Sequence, residues 1–442
     1  MPEPRKLLLV QCAGLGYQLV ERHRSRLAGI GLTFDPCQAV FPAVTCPAQA
    51  TMRTALPPAR HGIVANGRFD RQTRRVDFWQ QSARLVQGER IWARGRHQGQ
   101  TSAMLFHQQN LGEDVDYLVS PAPIHRHHGG MLQACQTRPP ELEDWLNAAV
   151  GKPFNLADYW GPGANRKSTQ WITAATRAII QKYEPDILLT YLPHLDYCQQ
   201  CHGPDNDRLI GPEVTVLADC LQLLVMAADK YGYDLMVWGD YAITPASRPV
   251  FPNHTLREAG LFHCRRVSGR LYPDLHDSRA FALCDHQIAH VFINQPGDLP
   301  RVRELLAALP GVAQACPPTD IDLGHPESGE LVLTAEPGAW FAYPWWDSNR
   351  EAPDYASHVD IHNKIGFDPC ELFWKIPLIS TSTDCRRPKG THGRTDQPAA
   401  VAVSDGLAGT RALPSLLEKS QFLKKRLHQS TNKPDAPVED SR

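Results

Sequence analysis

Hydrophobic residues in this 442-residue chain fall into two alternating kinds of run. Short runs, apolar at consecutive positions, stand at Lys6–Val10, Ala103–Phe106, Ile187–Leu192, Leu235–Trp238, Ala280–Cys284 and His290–Ile293. Each is bounded by Gly, Pro or polar residues. A strand covered on both faces reads this way, because neither face needs polar side chains. Between these runs lie longer stretches with apolar residues at helical spacing. Thr169–Tyr183 puts Ile172, Ala175, Ile179 and Ile180 on one face. Glu213–Tyr231 does the same with Leu217, Leu221, Leu224 and Ala228, and Arg301–Leu309 is a third such stretch. Strands alternating with helices predict an α/β fold: a mostly parallel sheet with helices on both faces.

Two segments break the alternation. Residues 107–166 are rich in His, Pro, Gly and Gln and read as a loop-rich, cap-like insertion. From about residue 380 Ser, Thr, Pro, Lys and Arg dominate. That composition predicts a disordered tail over residues 381–442, with one helix candidate at Pro414–His428. There is no internal repeat.

Composition narrows the picture only a little. The chain is 42% hydrophobic and 21% charged with a net charge of −1, which is ordinary for a globular protein. Balanced charge gives no reason to expect nucleic acid or an anionic membrane as partner. The run Leu7–Val10 is too short for a signal-peptide core or a membrane span, and no later run is expected to reach membrane length. Twelve scattered cysteines, with one CxxC at Cys198–Cys201, read as reduced thiols of a cytoplasmic protein. Oligomeric state is left open.

In open α/β sheets, ligands bind beyond the carboxyl ends of strands. Cys12, Ala13 and Gly14 follow the first run, and Thr45 follows Ala39–Val44. His194 and Asp196 follow Ile187–Leu192, and Asp240 and Tyr241 follow Leu235–Trp238. Far downstream, VDIHNKIGFDP supplies Asp360 and His362. Brought to one rim, these groups make a metallohydrolase set: hard oxygen ligands and a nitrogen for a divalent cation, beside an alcohol. Thr45, followed by Pro47 and a helix-forming stretch, reads either as a helix cap or as a nucleophile at a helix N-terminus. There the backbone N–H groups favour a phosphate anion. Asn66 in HGIVANGRFD reads as a turn residue or as a donor to a phosphate oxygen. Taken singly, Asp196 and Asp240 also read as turn aspartates and His362 as structural. The same holds for His125, His127 and His128 as solvated loop residues. No Gly-rich phosphate loop, dinucleotide fingerprint or GxSxG is present.

Together, and in this order, FPAVTCPAQATMRTALPPARHGIVANGRFD, YLPHLDYCQQCHGPD, WGDYAITPASRPV and VDIHNKIGFDP resemble the type I phosphodiesterase/nucleotide pyrophosphatase family. This family belongs to the alkaline-phosphatase superfamily, and the ligand pattern here resembles an atypical bacterial branch. The resemblance runs from about residue 6 to about 375. It implies an alkaline-phosphatase-like catalytic domain over residues 1–380, with 107–166 as its cap. It also implies that Thr45 is the nucleophile, that Asn66 binds phosphoryl oxygens and that Asp196, Asp240 and His362 are metal ligands. The cofactor it implies is a divalent metal, zinc in the family, acting on a small phosphorylated substrate through a phospho-threonine. Three ligand positions depart from the family pattern: Ala13 stands for an Asp, and Gln200 and Tyr241 each stand for a His. Asp285, His286 and Asp360 are candidates for a rebuilt metal site, with Asp360 and His362 sharing one strand face. Fewer ligand charges favour manganese or magnesium over paired zinc. The expected activity is metal-dependent hydrolysis of phosphodiester or pyrophosphate bonds. The alternative is a catalytically degenerate phosphate- or nucleotide-binding protein. A sulfatase is disfavoured, because Cys46-Pro47 is followed by Ala48 and Gln49 rather than completing CxPxR.

Overall fold

The side chains of the first apolar run divide cleanly between two clusters. In the computed structural model, residues 6–127, 131–360, 363–375 and 380–430 are described. Leu7 and Leu9 join a buried cluster with Ala48 and Met52, while Leu8 and Val10 join another with Ile179 and Leu217. Successive strand side chains point to opposite faces. A strand covered on both sides therefore needs every position apolar, which is the pattern the sequence carries.

The strands, in chain order, are β1 (Lys6–Cys12), β2 (Phe34–Cys37), β3 (Ser102–Leu105), β4 (Tyr117–Pro121), β5 (Cys135–Arg138), β6 (Ile187–Leu192) and β7 (Tyr233–Gly239). They continue with β8 (Ala280–Asp285), β9 (Ile288–Ile293), β10 (Val312–Cys316), β11 (Leu331–Ala335) and β12 (Ala399–Val403). Eight form the central sheet in the order β2-β12-β7-β1-β6-β3-β4-β5. The middle five run parallel, with Leu9 opposite both Leu189 and Met236. β12 lies antiparallel to β7 and β2, and β5 antiparallel to β4. Helices α1 (Thr45–Thr54), α2 (Lys167–Tyr183), α3 (His194–His202), α4 (Asp207–Tyr231) and α5 (Leu416–Ser430) complete the framework. The sheet is sandwiched between helices, as the alternation predicts.

Four expectations are corrected. Ala280–Cys284 and His290–Ile293 do not belong to the parallel sheet. They pair antiparallel as β8 and β9 in a second, four-stranded sheet ordered β8-β9-β11-β10. Only His286 and Gln287 separate the paired ends Asp285 and Ile288, and a link that short cannot make a parallel crossover. Segment 107–166 is more than a cap, because β4 and β5 extend the central sheet. The segment after 380 is folded through Ser430: β12 enters the sheet between β2 and β7, and α5 contributes Leu416 and Leu423 to the core. Its five small apolar residues, AAVAV, are too short a run to stand out from polar flanks. Finally, α4 is long and apolar enough by length and composition to cross a membrane. Its Leu217, Leu221, Leu224 and Ala228 are buried in the cluster beside the sheet.

Candidate active site

The site grows from the carboxyl ends of β1, β6 and β7, as strand-end logic requires. β7 ends at Gly239, where an added Cβ would stand 2.2 Å from the Leu15 carbonyl oxygen, so the close approach of these two chains needs glycine. Beyond β1 the chain turns through Gly14 at φ 67, which aims its N–H at Asp240 Oδ1, 3.0 Å away. Thr45 is the first residue of α1, and its side chain is buried. In that first turn the Cys46 N–H is taken by Asn66 Oδ1 at 2.9 Å, and Pro47 has no N–H. The N–H of Thr45 is what the turn has left to offer a ligand.

A hydrogen-bonded chain connects the alcohol to a carboxylate. Tyr241 donates its hydroxyl to Asp196 Oδ1 at 3.1 Å, and the Thr45 hydroxyl lies 3.1 Å from the same phenol oxygen. Tyrosine has one hydroxyl proton, so with that proton on Asp196 it is Thr45 that donates to Tyr241. The Thr45 oxygen keeps its lone pairs free. Gln200 Nε2 donates to Asp196 Oδ2 at 2.7 Å, and the buried Gln200 Oε1 has no partner among the described residues. Asp240 receives the N–H groups of Gly14 and Tyr241 on one oxygen and Gln11 Nε2 on the other, at 2.7 Å. Gln11 is itself held by Gln49 Nε2 at 2.8 Å, and Gln49 Oε1 accepts the Gln108 N–H. Burial raises the Asp196 carboxyl to about 7 and the Asp240 carboxyl to about 8, against the opposing pull of these donors.

His392 completes the cluster, and the sequence reading missed it. Its Nδ1–H donates to the Ala43 carbonyl at 2.8 Å, which turns Nε2 toward Asp196 Oδ1 at 3.7 Å. The Tyr241 ring stacks on it, centroids 3.6 Å apart and nearly coplanar at 4°, and the His286 ring also packs against it, 3.6 Å away and tilted by 35°. Burial lowers His392 to about 3 and holds His286 well below the ordinary imidazole range, so both rings are neutral at pH 7.

The remaining sequence candidates part ways. Asp285 binds Asn66, taking its backbone N–H at 2.7 Å and its side-chain amide at 3.1 Å. This ties the β8–β9 hairpin to the start of α1, so Asp285 and Asn66 brace the first turn of that helix. His286, at φ 59 in that hairpin, lines the cavity and stacks on Phe367. Asp360 accepts from the backbone and side chain of Asn363 and is not itself in a strand. His362 and His128 lie outside the described residues. Close by in sequence, the Lys364 ammonium reaches Asp368 at 2.7 Å and Glu371 at 2.6 Å in a buried ion pair. Glu371 also receives the indole N–H of Trp160 at 3.0 Å, and nearby Phe367 and Trp374 line the site. Cys198 and Cys201 sit on α3, and burial raises both thiols.

Above this cluster opens a cavity of about 580 Å³. Thr45, Asp196, Gln200, Tyr241, His286 and His392 form its polar floor, and Trp79, Tyr159, Trp160, Phe367 and Trp374 form its aromatic walls. Among the described residues no Lys or Arg lines it. Segment 107–166 supplies much of the rim, including Gln108, Tyr159 and Trp160. The donor set does not fit a pair of divalent cations. Ala13 offers a methyl, Tyr241 a phenol bonded to Asp196, and Gln200 an amide donating to the same residue. Among the described residues no three His, Cys, Asp or Glu side chains converge as a metal site.

A mostly parallel sheet between helix layers, with a buried alcohol, carboxylates and an imidazole beyond its strand ends, defines alkaline-phosphatase-like architecture. The sequence model for type I phosphodiesterase / nucleotide pyrophosphatase matches residues 7–368, and the chain belongs to that family. Solved structures share the fold at low identity. Phosphonoacetate hydrolase from Sinorhizobium meliloti 1021, in complex with phosphonoformate, aligns with a TM-score of 0.61 and 13% identity, over 96% of this chain and 97% of that one. An inactive form of murine ectonucleotide pyrophosphatase / phosphodiesterase 5, in complex with AMP, aligns at 0.59 and 14%, over 96% and 95%. The human counterpart aligns at 0.57 and 16%, over 90% and 87%. No curated protein matches the chain.

Proposed function

We propose that this protein hydrolyses a phosphodiester or pyrophosphate bond of a small substrate, with Thr45 as nucleophile. One observation carries the reading: the Thr45 hydroxyl, at the start of a buried helix and on a cavity floor, hands its hydrogen to a Tyr241–Asp196 chain and keeps its lone pairs free. Family membership supports the reaction class. The Thr45 oxygen forms a bond to phosphorus, and the bond to the leaving oxygen breaks with its electron pair on that oxygen. The Thr45 proton passes to Tyr241 as the phenol proton passes to Asp196. Water then attacks the phospho-threonine. One water proton ends on the leaving group through solvent, and Asp196 returns its proton by way of Tyr241 to the released Thr45 oxygen. The Thr45 N–H stands where it can donate to a phosphoryl oxygen. The family's cofactor is a divalent metal, which supplies charge neutralisation when bound, but the donor set at this site departs from it.

The test is a screen of nitrophenyl phosphate monoesters and diesters with wild type and Thr45→Ala. Loss of the nucleophile is expected to lower kcat/KM by about 10³-fold or more. Equal turnover by both proteins would remove Thr45 from the reaction. A binding protein without turnover is favoured by one observation, that among the described residues no Lys or Arg lines the cavity. It predicts no activity in wild type and unchanged ligand affinity in Thr45→Ala.

A further inference from the structure

We infer that the Tyr241 hydroxyl takes the place of a cation in holding Thr45, and that this site carries no metal ion. The phenol oxygen stands 3.1 Å from Thr45 Oγ1 and 3.1 Å from Asp196 Oδ1. An ion ligated by that alcohol and that carboxylate would sit about 2.0–2.2 Å from each oxygen. The phenol already bonds both oxygens, so it and such an ion compete for the same two atoms.

Tyr241 cannot readily turn aside. It is 1% exposed, and its ring lies flat on His392 at 3.6 Å. Its own backbone N–H is bonded to Asp240. The carboxylates, too, are fully served by uncharged donors. Asp196 receives Tyr241 on one oxygen and Gln200 on the other. Asp240 receives Gln11 on one oxygen and two backbone N–H groups on the other. The Gln11 amide is braced by Gln49, and Gln49 by the Gln108 N–H. A bound cation would break several of these bonds, and Ala13 could not contribute a ligand in exchange. The replacements at 13, 200 and 241 thus form one arrangement: a methyl where a second ion would need an oxygen, and an amide and a phenol that donate to the carboxylate.

The functional half of this inference rests on the reading of Thr45 as nucleophile, whereas the metal half does not. Wild type, Tyr241→Phe, Asp196→Asn and the triple variant Ala13→Asp/Gln200→His/Tyr241→His are equilibrated with zinc, and separately with manganese, then desalted. Metal per chain is measured by elemental analysis. Wild type is expected to retain no metal above the buffer blank, and the triple variant to retain zinc near stoichiometrically. Tyr241→Phe keeps the ring and its stack. It is expected to bind no metal and to lose about ten-fold or more in kcat with KM unchanged. Chelator treatment is expected to leave wild-type turnover unchanged. One or more zinc or manganese ions per wild-type chain, lost in Asp196→Asn, would overturn the inference. That comparison decides the matter even if the triple variant does not fold. If Thr45→Ala retains activity, the nucleophile reading fails while the metal result stands on its own.

Discussion

His290 and His194 are each fixed as a single neutral tautomer by partners on both ring nitrogens. His290 donates from Nε2 to the Val64 carbonyl at 3.1 Å, and its Nδ1 accepts the Gly329 N–H. His194 donates from Nε2 to the Glu213 carbonyl and accepts the Thr169 hydroxyl at Nδ1, 2.8 Å away. Burial lowers both to about 4. Protonation would place a hydrogen against an existing donor in each case. Folded values below the ordinary ~6.5 mean that the stabilisation is complete above that pH and is lost as pH falls toward 4. Each ring accounts for up to about 3 kcal/mol of that loss. The urea midpoint of wild type is expected to fall from pH 6.5 to 4.5, and His290→Gln is expected to flatten that dependence. Asp196 and Asp240 were legible because strand ends announce themselves in the sequence; Thr45 was legible only from the helix-forming stretch after it, since Ala39–Val44 before it is not a strand. His392 was not: it sits in GTHGRT, with no apolar run before it, and is placed by long-range pairing of Gly390 and Thr391 with Pro245 and Thr244 and by backbone bonds to Gln287 and Ala43. The bond from Tyr241 to Asp196 spans 45 positions and is set by the parallel register of β6, β1 and β7.

Among elements, α5 shows how local composition can mislead. Its residues LLEKSQFLKKRLHQS are polar on most positions, yet Leu416 is 1% exposed and Leu423 fully buried. Lys419 reaches in to cap the carbonyls of Thr410 and Leu413, both at 2.6 Å. Leu416, Leu423 and Leu427 on one side and one buried, carbonyl-bonded lysine seat a helix that already has the framework to rest on. Leu423→Ala is expected to cost about 2–5 kcal/mol, read as a lower urea midpoint with an unchanged slope. No change would mean that α5 is not packed on the core. The β8–β9 pair teaches a related lesson. Its two runs were correctly read as buried strands, but direction lies in the two-residue link, not in the runs themselves.

At the scale of the whole molecule, the two sheets meet the site from different sides. The central sheet supplies the carboxylates and the phenol, while the hairpin of the second sheet braces Asn66 and places His286 on the cavity. Segments 107–166 and 359–374 wall the pocket, locked together through Trp160 and Glu371. The chain alternation made the parallel sheet predictable, but it could not show which distant loops would close over it.

The placement of β12 also has a consequence in time. During synthesis, β7 is made about 160 residues before the strand that covers its flank, taking Gly239 and Ala399 as the limits. Until that strand emerges, β2 has no neighbour in the sheet and His392 has not been delivered to Asp196. A nascent chain therefore holds an open slot in its core and no complete reaction centre, so maturation and catalytic competence are expected to arrive together. A chain ending at Gln397 should lack cooperative unfolding and be cut rapidly by protease; a stable, resistant fragment would refute this order of assembly.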